Sequence, residues 1–169
     1  SFNFKTINDV IRLSEINFFN GKIEFGRTPG RLDGGNSSLT EIRIKKKNAA
    51  GLFDLQKTFK LDMGYFSSFA EARLKLNGIA EHDASSTFVK SHEFFYNEST
   101  LLPARGSTAQ DWWGHYNGKG GTDGTGGNTL VPKEIINFQG HVYHVGGADR
   151  KSSAAHMQAC ILKSIKYPT

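Results

Sequence analysis

The chain has little of what most often announces a chemistry. Its 169 residues include one cysteine, two methionines and four prolines. A lone cysteine, Cys160, excludes an internal disulfide framework and leaves the redox compartment open. With Ala159 and Ile161 beside it, a small buried thiol is expected. No apolar run approaches the roughly 20 residues of a membrane-spanning helix. Charge of neither sign dominates. Lys plus Arg number 21 against 16 Asp plus Glu, a formal charge of +5, and the basic residues are scattered except for Arg43, Lys45, Lys46 and Lys47. A short basic run at a strand end reads as a solvated turn. Nucleic-acid binding, which needs a continuous basic face with interleaved stacking aromatics, is not expected. The start, Ser1-Phe2-Asn3-Phe4, has no basic and no apolar export region, so any signal peptide is expected upstream of this segment.

Catalytic and metal motifs are also missing. There are six histidines, but no His-Glu-x-x-His and no Cys-x-x-Cys. His141 and His144 lie three apart in a predicted strand and so point to opposite faces, whereas strand ligands want a spacing of two. The segment Gly121 to Gly127 offers one carboxylate, Asp123, where calcium gathers several oxygens. No Gly-x-Ser-x-Gly elbow is present, and Cys160 has no neighbouring base. Arg31-Leu32-Asp33 interrupts the glycines at 30 to 35, and no Gly-Lys-Ser/Thr follows, so this is not a phosphate loop. Nothing singles out a carboxylate pair of the glycosidase kind. The expectation is a chain that is not an enzyme and has no metal or cofactor.

What is present is aromatic and glycine content suited to strands and tight turns: 13 Phe and 19 Gly. A phrase recurs, Leu-x-x-Ile, at Leu13 to Ile16, Leu39 to Ile42, Leu76 to Ile79 and Leu162 to Ile165. After the first three, a turn-rich gap leads to a second alternating run, around Ile23-Glu24-Phe25, Phe59-Lys60-Leu61 and Phe94-Phe95-Tyr96. Residues 5 to 14 read as one helical turn feeding the first strand. Asn20-Gly21 predicts a type I′ hairpin, and Ile23 with Phe25 predicts an apolar face opposite Lys22 and Glu24. Loops are predicted at Thr28-Pro29-Gly30 to Asn36 and at 47 to 51, and a bulge at Gly64. A hairpin is predicted around Gln139-Gly140, with strands 134 to 138 and 141 to 145. Ser152 to Ala159 reads as a helix capped by Ser152 or Ser153, and a last strand covers 161 to 167. The fold class is mostly β, an antiparallel sheet of successive hairpins with one or two short helices. The organisation is repeated strand pairs over 1–97, an aromatic and Gly-rich insertion over 98–129, and a hairpin, short helix and final strand over 130–169, within one structural domain. The fourth phrase ends the chain without a partner strand, so the unit is expected to be part of a longer repeating polypeptide.

The insertion breaks this rhythm, and long loops of this kind are often functional. Ser107 or Thr108 is a candidate cap for a helical turn, with Asp111 completing a capping box. The block Asp111-Trp112-Trp113-Gly114-His115-Tyr116 has two readings. Displayed, Trp112, Trp113 and Tyr116 form a stacking platform for sugar rings, with Asp111 and His115 bonding hydroxyls. Folded back, the aromatics seal one end of the sheet while Asp111 caps a turn and Gly114 and Gly118 supply backbone freedom. The second is favoured because large aromatics are more often buried than displayed.

Arg105-Gly106-Ser107, the block from Asp111 to Gly118, Leu130-Val131-Pro132, Gly147-Ala148-Asp149-Arg150 and the closing Leu162 to Thr169 resemble successive blocks of large cell-surface proteins of Bacteroides-type bacteria, which are similar to the Rhs or YD-repeat superfamily. The resemblance spans about Leu39 to the end and is most specific around Trp112. It implies a secreted or outer-membrane-attached polypeptide whose strand pairs continue on both sides of this segment as a β-rich shell or scaffold. It carries over no catalytic residue, and the tandem Tyr-Asp repeats of the better-known members are lacking. The implied partners are neighbouring repeats, with edge-strand dimerisation through the first hairpin or residues 161 to 167 expected of the exposed ends, and a glycan as the rival ligand.

Overall fold

The computed structural model describes residues 11–34, 36–67, 71–119, 130–132 and 134–168. The predicted helical turn over 5 to 14 lies mostly outside them, as does nearly all of the Gly-rich tail. Seven strands form one antiparallel sheet: β1 (Glu15–Phe18), β2 (Gly21–Pro29), β3 (Ser37–Lys47), β4 (Phe53–Phe66), β5 (Arg73–His82), β6 (Phe88–Tyr96) and β9 (Leu162–Lys166), in spatial order β1-β2-β3-β4-β5-β6-β9. The mostly-β, successive-hairpin fold class is therefore correct. A separate hairpin, β7 (Glu134–Phe138) and β8 (His141–Val145), and one turn of helix, α1 (Ala154–Met157), precede β9. No helix among the described residues is long and apolar enough to cross a membrane.

Register explains the recurring phrase. Residues three apart in a regular strand face opposite ways, so Leu and Ile of Leu-x-x-Ile would be split between faces. In three of the phrases a β-bulge inserts one residue directly after the leucine. Thr40 is skipped where Gly26 and Arg27 pair with Glu41 and Leu39, Asn77 where Asp62 and Met63 pair with Gly78 and Leu76, and Lys163 where Phe95 and Tyr96 pair with Ser164 and Leu162. The extra residue returns both apolar side chains to one face. Gln56 of β4 and Val89 of β6 are skipped in the same way, so within the seven-stranded sheet β3, β4, β5, β6 and β9 each carry one bulge against the preceding strand in the sheet.

Following the pairs across the sheet, Ile16 meets Ile23 and Ile23 meets Ile44, while Phe25 meets Ile42 and Ile42 meets Phe59. Leu61 meets Ile79, Ile79 meets His92, and Phe94 meets Ile165. Stepping by two within each strand places Ile16, Ile42, Ile79 and Ile165 on the same face. The opposite face of β1 to β3 is charged: Glu24 lies 2.6 Å from Lys22 and 2.8 Å from Lys45, and Arg43 bridges to Glu41. Neither face is covered by a second layer among the described residues. Among the described residues the only buried hydrophobic side chains are Ala109 and Ala148, both outside the sheet. The sheet is held by its hydrogen-bond ladders and by half-buried cross-strand pairs, each contributing roughly 0.2–1 kcal/mol.

Several local expectations need correction. Phe18 pairs with Gly21, so the first hairpin turns through Phe19-Asn20, and neither residue has positive φ. Gly21 serves close approach instead: a Cβ there would sit 2.5 Å from the Lys45 carbonyl oxygen and 2.8 Å from the Phe18 ring. Type I′ chemistry appears at the other predicted hairpin, where Gln139 (φ 51) and Gly140 (φ 79) join β7 to β8. β2 runs through Pro29, past the expected loop start. The bulge expected at Gly64 lies on the partner strand, and Gly64 leaves room for it, since a Cβ would meet the Asn77 amide at 2.7 Å. The helix expected over Ser152 to Ala159 is one turn, with Ser153 as N-cap. Cys160 is half-buried rather than buried, at φ 58, and burial pushes its thiol pKa up.

Candidate functional site

Two sheet connections are built on the same five-residue turn. From Asn48 to Leu52, the Asn48 Oδ1 accepts from the Ala50 and Leu52 amides at 3.0 and 2.9 Å, the Asn48 amide donates to the Leu52 carbonyl at 2.8 Å, and Gly51 is left-handed at φ 78. From Asp83 to Thr87, Asp83 Oδ1 accepts from the Ser85 and Thr87 amides, both at 2.9 Å, and Ser86 takes φ 67. Asp and Asn open such turns because a short side-chain oxygen reaches the amide two residues on.

The block around the tryptophans is a third copy. Asp111 Oδ1 accepts from the Trp113 and His115 amides, both at 2.9 Å, the Asp111 amide donates to the His115 carbonyl at 2.8 Å, and Gly114 is left-handed at φ 86. Gln110 and Tyr116 bridge beneath it. The predicted helical turn at Thr108 does not form, because the Asp111 carboxylate serves the residues after it rather than a helix start. Trp112 and Trp113 thus hold the two tip positions occupied by Ala49-Ala50 and Ala84-Ser85 in the sister turns. Those positions require no large side chain. The tryptophans are 63% and 74% exposed. They do not fold back to seal the sheet.

The remaining candidates separate. Asp111 is fully buried, its Oδ2 accepting from the Ser152 hydroxyl at 3.0 Å, so it holds the turn and is not presented to a ligand. Burial opposes its charge, but the His115 amide, the Ser152 hydroxyl and the Trp113 amide together leave its carboxyl below the ordinary value. Tyr116 is half-buried, with its ring edge-on to His156 at 5.2 Å, and it lines a different cleft from Trp112, so it is not part of one platform. His115 is exposed beside the tip. Gly118 (φ 71) passes against the His156 ring, where a Cβ would approach within 2.2 Å.

The other sequence blocks converge on this turn. Asn117, fully buried, donates to the carbonyls of Asp149 at 2.8 Å and Lys151 at 3.1 Å and accepts from the Lys119 amide at 3.0 Å. Ala148 bridges in parallel to Pro132, and its amide donates to the Val131 carbonyl at 3.0 Å. Lys119 pairs with Asp149 at 2.8 Å, holding that carboxyl below its usual value. Arg150 places its guanidinium 5.6 Å from the Trp112 ring centroid and donates through Nη1 to the Leu130 carbonyl at 3.3 Å. Between Trp112 and the strap of residues 147 to 151 lies an open cleft of about 390 Å³. At the junction with the sheet, Arg105 pairs with Glu71 at 3.0 Å and donates to the Asp33 carbonyl, while Arg31 clamps the Asp33 carboxylate at 2.7 and 2.5 Å. Arg150, Lys151 and Asn117 are the residues that sequence reasoning did not assign. A motif spacing does not reveal them, because the bridge between Pro132 and Ala148 brings Arg150 and Lys151 to Trp112, and Asn117 acts through the Asp149 and Lys151 carbonyls of the same strap. Among the described residues no three His, Cys, Asp or Glu side chains gather as a metal site. No protein-family model, curated protein or solved structure matches the chain.

Proposed function

We propose that this chain is a structural and interaction module of an extracellular or outer-membrane-surface repeat protein of the Rhs-like kind, with no reaction of its own. The observation that carries this reading is the single-layer sheet, in which bulges after Leu39, Leu76 and Leu162 return those leucines to the face of Ile16, Ile42, Ile79 and Ile165, with no second layer over that face among the described residues. Repeat units stack because one unit cannot bury its apolar face alone. Neighbouring repeats of a parent polypeptide are the natural cover. Among the described residues β1 and β9 are the sheet edges, and unpaired edges recruit further strands. Light scattering tests this directly: association should rise with concentration and fall in a Ser164→Lys variant that charges the β9 edge. A strictly monomeric species at high concentration would count against it.

A second reading is favoured by one observation, the display of Trp112 and Trp113 at the tip of a turn that elsewhere carries alanine and serine. On this reading the turn is a carbohydrate-binding element. Acrylamide should quench both tryptophans readily in the folded protein. Failure to quench either one removes the platform.

A further inference from the structure

We infer that the cleft between Trp112 and the 147 to 151 strap is a binding site for an acidic saccharide, one carrying a carboxylate such as a uronic acid. This rests on the carbohydrate reading above and adds where the sugar sits and what charge it bears. The comparison of the three turns shows that the turn itself does not require Trp112, since the same backbone is made with Ala49 and Ala84 in its place. Indole faces stack on the C–H faces of sugar rings, and such contacts are strongest where one side of the ring borders a concave wall. Trp112 has that wall: Pro132 and Ala148 contribute its apolar part, and Asp149, Arg150 and Lys151 its polar part. At about 390 Å³ the cleft is within the range of small-ligand sites.

Charge selects the ligand class. The carboxylate in the wall, Asp149, is already neutralised by Lys119 at 2.8 Å. Arg150 and Lys151 remain as the cations of the cleft, and the Arg150 guanidinium stands over the Trp112 ring. A sugar entering the cleft therefore meets the Trp112 indole together with the planar cation already seated over its face, and a carboxylate substituent suits that guanidinium better than a hydroxyl does. A lipid surface would exploit a protruding tip alone; the concavity on the Trp112 side favours a ligand that inserts.

The test is a binding titration of the intact chain with trigalacturonate and, in parallel, maltotriose, read by calorimetry and tryptophan fluorescence, together with an array of acidic and neutral oligosaccharides. Acidic oligosaccharides should bind and shift the fluorescence, and Trp112→Ala should abolish binding. Arg150→Gln and, separately, Lys151→Gln should weaken the acidic ligand by about tenfold or more while the thermal transition stays cooperative. Lys151→Gln guards against misfolding of the Arg150 variant, whose Nη1 also holds the Leu130 carbonyl. Equal affinity for neutral and acidic sugars would overturn the charge assignment and leave the carbohydrate reading standing. Binding that survives Trp112→Ala would overturn the site. No binding to any saccharide, or binding only to anionic lipid vesicles, would overturn both.

Discussion

At the scale of single residues, the tryptophan turn separates roles that the sequence places side by side. Asp111 makes the turn, and Trp112 and Trp113 are carried by it. Replacing Trp113 by Ala should change folding stability by no more than about 0.5 kcal/mol, as for surface positions without a packing role, and Trp112→Ala by about 0.5–1 kcal/mol through loss of the Arg150 contact, whereas Asp111→Ala should lower the melting temperature clearly. Thermal denaturation of the three variants checks this. Asn117→Ala leaves the Asp149 and Lys151 carbonyls without their donor and should cost about 2–3 kcal/mol. Gly146 is left-handed at φ 72, and a Cβ would fall 2.1 Å from the Pro132 carbonyl oxygen, so Gly146→Ala should cost at least about 2 kcal/mol by denaturant titration. The residue types of this turn are legible in the sequence, including a turn-capping role for Asp111. The exposure of the tryptophans is not, because burial statistics for aromatics say nothing of a tip position that projects from its turn.

At the scale of elements, the bulge is the recurring device. The Leu-x-x-Ile phrase is plain in the sequence, but its spacing contradicts strand periodicity unless one residue is looped out, and that depends on partner strands distant in sequence. Asn77 shows the consequence. Deleting it forces Leu74 and Leu76 onto the charged face or breaks the pairing with β4, so the deletion should abolish the cooperative thermal transition, while Asn77→Ala retains it. Circular dichroism melts distinguish the two. The turns show a similar limit. Gln139-Gly140 is a hairpin turn as its sequence predicts, whereas Asn20-Gly21 is displaced by one residue because Gly21 is needed for close packing beside the Lys45 backbone. Tertiary approach outranks turn propensity there.

For the whole molecule, charge pairs substitute in part for a core. Hydrogen bonds from Lys22 and Lys45 hold the Glu24 carboxyl at about 2, and the Arg31 clamp holds Asp33 well below its ordinary value. Both folded-state pKa values lie below the unfolded ones. Their contribution is therefore complete above the unfolded carboxylate range, near 4 to 4.5, and is lost as pH falls through the folded values. Melting temperature should be level down to about pH 5 and then decline toward pH 2, and the decline should be shallower in Glu24→Gln and Asp33→Asn. The successive hairpin pairing of β1 to β6 and the shared face are recoverable from alternation and repetition in the sequence, whereas the last strand, expected to lack a partner, pairs with β6 across the whole insertion, a contact that no local pattern reveals. The polar core around Asp111 and Asn117 is not, because it is assembled from three separate blocks by backbone bonds that leave no periodic trace.

The scaffold reading stands or falls on whether the apolar face is covered in its native context. A cysteine placed at Ile79, with Cys160→Ser as background, reports this through its rate of thiol labelling in the folded protein. Labelling should be rapid in the isolated chain and strongly suppressed in a longer parent polypeptide that supplies the neighbouring repeats. Equal rates in the two contexts would contradict it.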